Sequence, residues 1–467
     1  NGFIDSHIYG IKQYDDKLDP RLIKLLDSIR NYTSLKGLMF NAPGAMANAL
    51  TGVQQIFVEA GCGEFFGKID TVWAVSKLFG KAGVAGEAMD LLSDNSRHKA
   101  KLLRDMFDPM QENFENDKNK RYHSSWFRQL ISKDCSFIGY GAGEYCIHMI
   151  PMYAILHREK VKLDGKEICL YDALEVTKRE DGNSELQPKA GVTDLDGNPI
   201  TQGYIDKVRK KVKEVNQSMH GAMNSEDRGL IHQYVLGRLA MNFRQWMVNF
   251  YDRRYQKRHF DYNVMDYREG YWVSLWKGLW NDDTKETWED KHKWKAVGLF
   301  LKDFTTFMLR ASTQWNTMDD MQKYNIKRVR AEILTYIALV GLNMALGDPD
   351  DHKKEFWRRW WIYQTKRLLT DTEVGMPLPQ AISSGLTILQ SPMAGINTLN
   401  SMMYVLYGFL YGDFLEEIKS GPHKGENRYI RNIIKYDLPF FKDWETIQKM
   451  SEDDSLFKVF DKTPSNH

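Results

Sequence analysis

The chain has 467 residues, a formal net charge of +2, 27% charged residues and 13% aromatic residues. That aromatic content excludes a disordered chain, and the near-balanced charge excludes a global field steering the protein to nucleic acid or anionic membrane. The length accommodates roughly two to four domains or one array of helices.

The chain opens on Asn1 with no basic region leading into an apolar run. No secretory signal is expected, and the sequence reads as an excerpt or as a piece of a longer polypeptide. Residues 1–34 are polar and helix-prone, with Asp19-Pro20 marking a helix start before Arg21 to Arg30. From Gly37 to Val58 no residue is charged. Asn41, Pro43, Asn48, Thr51, Gln54 and Gln55 dilute that run, and Gly44, Ala45, Ala47, Ala49 and Gly52 suit close helix packing. A buried helical hairpin is therefore expected over a membrane span.

Residues 69–133 read as successive amphipathic helices, with Leu91, Leu92, His98, Leu102, Leu103, Met106 and Phe107 on a broken apolar stripe. A second apolar segment, Cys135 to Leu156, holds Gly139, Gly141 and Gly143. No Lys-Ser/Thr follows these glycines, so they predict a bend between two packed helices and not a phosphate loop. At Lys160 the texture changes. Asp164-Gly165 and Asp196-Gly197 are strong turn dipeptides between short strand-like pieces, so 160–202 reads as a small β-hairpin insertion. Asp194-x-Asp196-Gly197 lacks the remaining ligands of a calcium loop and reads as a turn.

Helices resume at Gln202, with Lys207, Arg209, Lys210, Lys211 and Lys213 on a wet face. Asn224 to Arg228 forms a cap-rich start to a long helix ending near Arg254. Residues 294–347 read as two helices. Between Glu373 and Asp413 no residue is charged (374–412), and directly upstream lie Trp357, Arg358, Arg359, Trp360 and Trp361. Aromatic rings with Arg and Lys beside an uncharged run form the pattern of an interfacial belt, so these five residues are the candidate membrane or partner contact. The competing expectation is an apolar segment, broken by Pro377, Pro379 and Pro392, buried between helices or against a neighbouring chain.

The reading is thus mainly α: an elongated array of helices and helical hairpins with one small β-hairpin insertion. It divides into an N-terminal helical region (1–159), the insertion (160–202), a central helical region (203–347) and a C-terminal helical region (348–467).

No catalytic, cofactor or metal residues are assigned. Cys62, Cys135, Cys146 and Cys169 match no C-x-x-C pair or zinc spacing and read as free thiols in a reducing compartment. No H-E-x-x-H or G-x-S-x-G occurs, and the histidines lack i, i+4 spacing. Cys146 and His148 are close in sequence, which is weak support for a nucleophile pair. Arg244, Trp246, Arg253 and Arg254 form a candidate packing cluster. With Lys257 and Arg258 they are interleaved with Tyr251, Tyr255 and Phe260, so the arginines are expected to pack on rings and not on phosphates.

The phrases LGRLAMNFRQWM (236–247), YDRRY (251–255) and REGYW (268–272) resemble the very large virion-associated proteins of crAss-like and related Bacteroidetes phages. So do FNAPGAMANALTG (40–52) and the closing stretch from Leu410 to Ile447. The resemblance runs over 35–450 and implies one segment of a giant protein packaged in the particle and delivered at infection. Giant proteins of such phages also include a virion RNA polymerase, which needs clustered aspartates for two magnesium ions. Asp348-Pro349-Asp350-Asp351 lacks the third carboxylate and reads as a helix stop and turn.

The expectation is a non-enzymatic virion cargo segment without cofactor or small-molecule substrate. Its expected partners are other virion proteins of tail, portal or capsid, and the host envelope after ejection. The alternatives are a fixed liner of the tail or portal channel and an internal nucleic-acid-binding protein using basic clusters at 207–213 and 353–367.

Overall fold

The structure is a computed structural model. It describes residues 41–79, 99–109, 138–178, 184–221, 245–262, 265–279, 313–316, 318–346, 356–377, 394–411, 416–419 and 424–436, with single residues among 19–33 and 295–306. The fold is mainly α with small antiparallel sheets.

The uncharged N-terminal run forms one helix, α1 (Ala42–Cys62), and not the expected hairpin. Asn41 caps it by accepting the backbone N–H of Gly44 (2.6 Å), Pro43 lies in the first turn, and Gly63 ends it at φ 77°. The small residues face neighbouring helices. A Cβ on Gly52 would lie 2.6 Å from Ile147, and one on Gly61 would lie 2.9 Å from Ala331.

After α2 (Lys68–Phe79) and α3 (Lys99–Phe107) comes α4 (Ile138–Arg158). The expected bend at Gly139, Gly141 and Gly143 is absent. One helix runs through them, and Gly143 faces Ala49 of α1, where an added Cβ would make ordinary contact at 3.4 Å. Buried Met149, Met152, Tyr153, Ile155 and Leu156 put α4 at the centre of the larger core, against α1, α2 and α6 (Gln202–His220). In α6, Ile205, Val208, Val212, Val215 and Met219 face inward, and the basic residues at 207–210 lie outside.

The 160–202 insertion is present but richer than a single hairpin. β1 (Lys160–Leu163) pairs with β2 (Lys166–Cys169) around Asp164-Gly165, both at positive φ. A short helix, α5 (Leu170–Ala173), follows β2. β3 (Leu174–Lys178) pairs with β4 (Ser184–Pro188), and β5 (Val192–Thr193) adds to the other edge of β1. The Asp194 carboxylate accepts the backbone N–H groups of Asp196 (2.9 Å) and Asn198 (2.8 Å), so it closes the turn.

A third hairpin lies outside the insertion, where only helices were expected. It joins β6 (His259–Asp261) to β7 (Asp266–Arg268), between α7 (Gln245–Tyr255) and α8 (Tyr271–Leu279). Each strand is three residues long, too short to show a sequence period.

The second expected helix of 294–347 is one long element, α9 (Asp320–Leu346), reaching well upstream of its apolar part. It packs on α8, on α1 and on α10 (Phe356–Val374), and α10 also contacts α1. Gln54 of α1 donates to Thr372 of α10 (2.8 Å), and Trp360 Nε1 meets Met46 Sδ (3.2 Å). Helices from the N-terminal, central and C-terminal regions thus share one packed layer. α11 (Ala394–Tyr411) and α12 (Arg428–Tyr436) pair through Tyr429, whose ring fits over Gly408.

Candidate functional site

The most polar part of the interior lies where α1, α7, α8 and α9 meet. Glu59 of α1 is 2% exposed. Arg328 of α9 donates to both its oxygens (3.0 and 2.8 Å), and Arg253 of α7 donates to Oε2 (2.6 Å). Burial pushes the Glu59 carboxyl up, but the two guanidinium groups outweigh burial and hold it at about 2. A second centre surrounds Glu332 of α9, 1% exposed. Its oxygens accept from Arg254, from the Tyr271 hydroxyl (2.9 Å) and from Trp272 Nε1 (3.0 Å). Arg254 stacks over Phe250 at 3.5 Å. Glu269 accepts from Ser274 (2.8 Å) and Lys277, and Asn325 donates to the Glu269 carbonyl (3.0 Å).

A cavity of about 520 Å³ opens beside these centres, lined by Glu64, Glu214, Asp252, Asp261, Arg268 and Arg328 among others. The walls carry both signs, and most of these charges are already matched. Arg268 faces Asp261 at 3.3 Å and Glu214 at 4.0 Å, and Arg328 also bonds Glu64.

Glu59, Cys62 and Glu64 bring ligand atoms within 4.8 Å of one another. The Arg328 guanidinium holds the position a cation would take, bonded to both carboxylates. Burial pushes the Cys62 thiol up to about 12, so it stays protonated. The cluster is neutralised from within the protein.

Catalytic geometry is equally undeveloped around Cys146. Burial raises its thiol and pushes Glu144 up to about 7. His148 lies two positions further along α4, so the two side chains do not face each other. It packs instead against His220 of α6, with ring centres 4.9 Å apart. Burial lowers His148 to about 4 and holds His220 well below its ordinary 6.5. The Ile147 carbonyl beside the His220 ring opposes part of that lowering. Pro151 lies four residues after Ile147 inside α4 and has no N–H to offer that carbonyl.

The candidate packing cluster is divided. Arg253 and Arg254 join the ionic centres, and Arg258 lies over Tyr267 (5.1 Å) and near Asp319 (3.3 Å). Arg244 and the side chain of Trp246 lie outside the described residues, as do Asp348 to Asp351. Glu59, Arg328, Glu332 and Asn325 were not singled out from the sequence. Their one signal was position: Glu59 is the first charge after an uncharged helical run, and Arg328 and Glu332 precede an apolar one.

The five-residue contact set on α10 is divided too. Arg359 and Trp360 are buried, Trp360 against Met46, so they belong to the interior and not to a surface belt. Trp357 (67% exposed), Arg358 and Trp361 face outward. On α9 the buried side chains include Asn325, Arg328 and Glu332, whereas Leu334, Ile337, Ala338, Gly341, Leu342 and Ala345 are exposed. Those exposed positions recur at helical spacing and form one apolar stripe. The first half of α9 buries Arg328 and Glu332 beside Ile326 and Val329, and the second half leaves an apolar stripe outside.

No protein-family model matches the chain, and no curated protein or solved structure matches it.

Proposed function

We propose that this chain is a non-enzymatic component of a phage particle, packaged in capsid or tail and ejected into the host at infection. α9, with Arg328 and Glu332 paired inside and its Leu334–Ala345 stripe exposed, carries the reading. It gives the molecule a rigid, internally neutralised frame and leaves an apolar contact face unspent. The phrases at 236–247, 251–255 and 268–272 add the virion association by resemblance. A fixed liner of the tail or portal channel is the second reading, because an apolar face suits a permanent neighbour equally well.

Quantitative mass spectrometry of full and emptied particles separates them. Cargo is depleted from particles after genome release. Equal amounts before and after would leave the fixed component standing.

A further inference from the structure

α9 meets the length and composition of a membrane span, with a mean hydropathy of 1.4 over 18 residues, yet only 17% of that window is buried. It does not span in this fold, because Arg328 and Glu332 tie its first half into the interior. The free stripe from Leu334 to Ala345 is about 17 Å long at about 1.5 Å per residue, well short of a hydrocarbon core of about 30 Å. A stripe of that length suits a helix lying in the plane of a membrane surface.

The neighbouring helix supplies what such a surface requires. α10 runs antiparallel to α9: Arg358 donates to the Leu346 carbonyl (3.1 Å), Thr365 to Asn343 (3.2 Å), and Tyr336 to Glu373 (3.0 Å). Exposed Trp357 and Trp361 therefore lie level with the end of the stripe. Of the exposed charged side chains described on α10, Arg358 lies on the side of Trp357 and Trp361, while Lys366 and Arg367 lie more than about 100° around the helix from Trp361, and α9 carries no charge after Glu332. Indole rings at a headgroup boundary with a cation reaching phosphates match an anionic bilayer.

We infer that the outer face of the α9–α10 pair docks in the headgroup region of an anionic membrane, with the Leu334–Ala345 stripe toward the acyl chains. The inference rests on the contact-face reading above, not on residence in a particle, which particle mass spectrometry tests separately.

The test is flotation of the full chain with vesicles of phosphatidylcholine alone and of phosphatidylcholine with phosphatidylglycerol. Binding is expected to the anionic vesicles, weakening as salt is added. Reversing Arg358 to Glu should lower it by at least about five-fold. Ile337→Glu should lower it by about ten-fold or more, with helicity and thermal midpoint unchanged because Ile337 is exposed. A blue shift of tryptophan emission on binding should shrink in Trp357→Phe with Trp361→Phe. No flotation with anionic vesicles, or equal flotation of Ile337→Glu, overturns the inference. Lipid-free self-association that Ile337→Glu abolishes would also overturn it, assigning the face to a second copy.

Discussion

Pro151 and His220 show how one residue's deficit sets another's role. A proline within α4 leaves the Ile147 carbonyl without its helical donor, and the His220 ring beside it is positioned to take the place of the missing N–H. Replacing His220 by Leu should strand a buried acceptor and cost about 1–3 kcal/mol. In a Pro151→Ala background the same change should cost clearly less, because the alanine N–H can reach Ile147. A double-mutant cycle by urea denaturation reads the difference. Equal costs in both backgrounds would mean that His220 acts by packing alone. Arg254 was partly visible in the sequence, since Tyr251 and Tyr255 flank it on one helix. Its carboxylate partner Glu332 lies 78 residues away, beyond any local pattern.

Among elements, the close approach of α7 and α8 depends on Gly270. A Cβ there would lie 2.5 Å from the Arg254 carbonyl oxygen and 2.6 Å from Tyr255 N, both backbone atoms that no rotamer change can move aside. Gly270→Ala should destabilise the protein by about 3 kcal/mol, measured as a lowered urea midpoint at constant slope. A neutral result would show that the two helices separate freely. Helical periodicity made α6 readable, because its buried Ile and Val recur at the expected spacing. It fell short at α1, where a hairpin was expected from residues that suit close helix packing, and at α4, where the glycines suggested a bend. In the folded chain those residues are crossing points, a role that only the facing helix reveals. The β6–β7 hairpin had no period to read, and α9 showed its apolar half while hiding that the polar half is the buried one.

The whole molecule is held across long stretches of chain, and its acid response should report that. Glu59 has a depressed pKa, so its contribution is complete above its ordinary 4.5 and is lost as pH falls toward about 2. His148 is also depressed, so its contribution is complete above 6.5 and is lost between 6.5 and about 4, on the order of 3 kcal/mol. His220 acts in the same direction, with Arg253 beside it opposing protonation. Glu144 acts oppositely, with its contribution lost as pH rises from 4.5 to about 7. The net expectation is a urea midpoint that falls between pH 6.5 and 4, and a flatter profile there in His148→Phe. An unchanged slope in that variant would exclude the buried imidazole as the cause.

The bond from Glu59 to Arg328 spans 269 positions. A ribosome adds about 5–20 residues each second, so Glu59 is synthesised roughly 15–50 s before its principal partner exists. α4 follows α1 far sooner and can cover its small-residue face, but it offers Glu59 no guanidinium. The nascent N-terminal half must therefore wait as a half-built layer, with Glu59 either wet or protonated. Closure of the ionic centre therefore waits for α9, and α10, made later still, packs on α1 and α9 only after that centre can close.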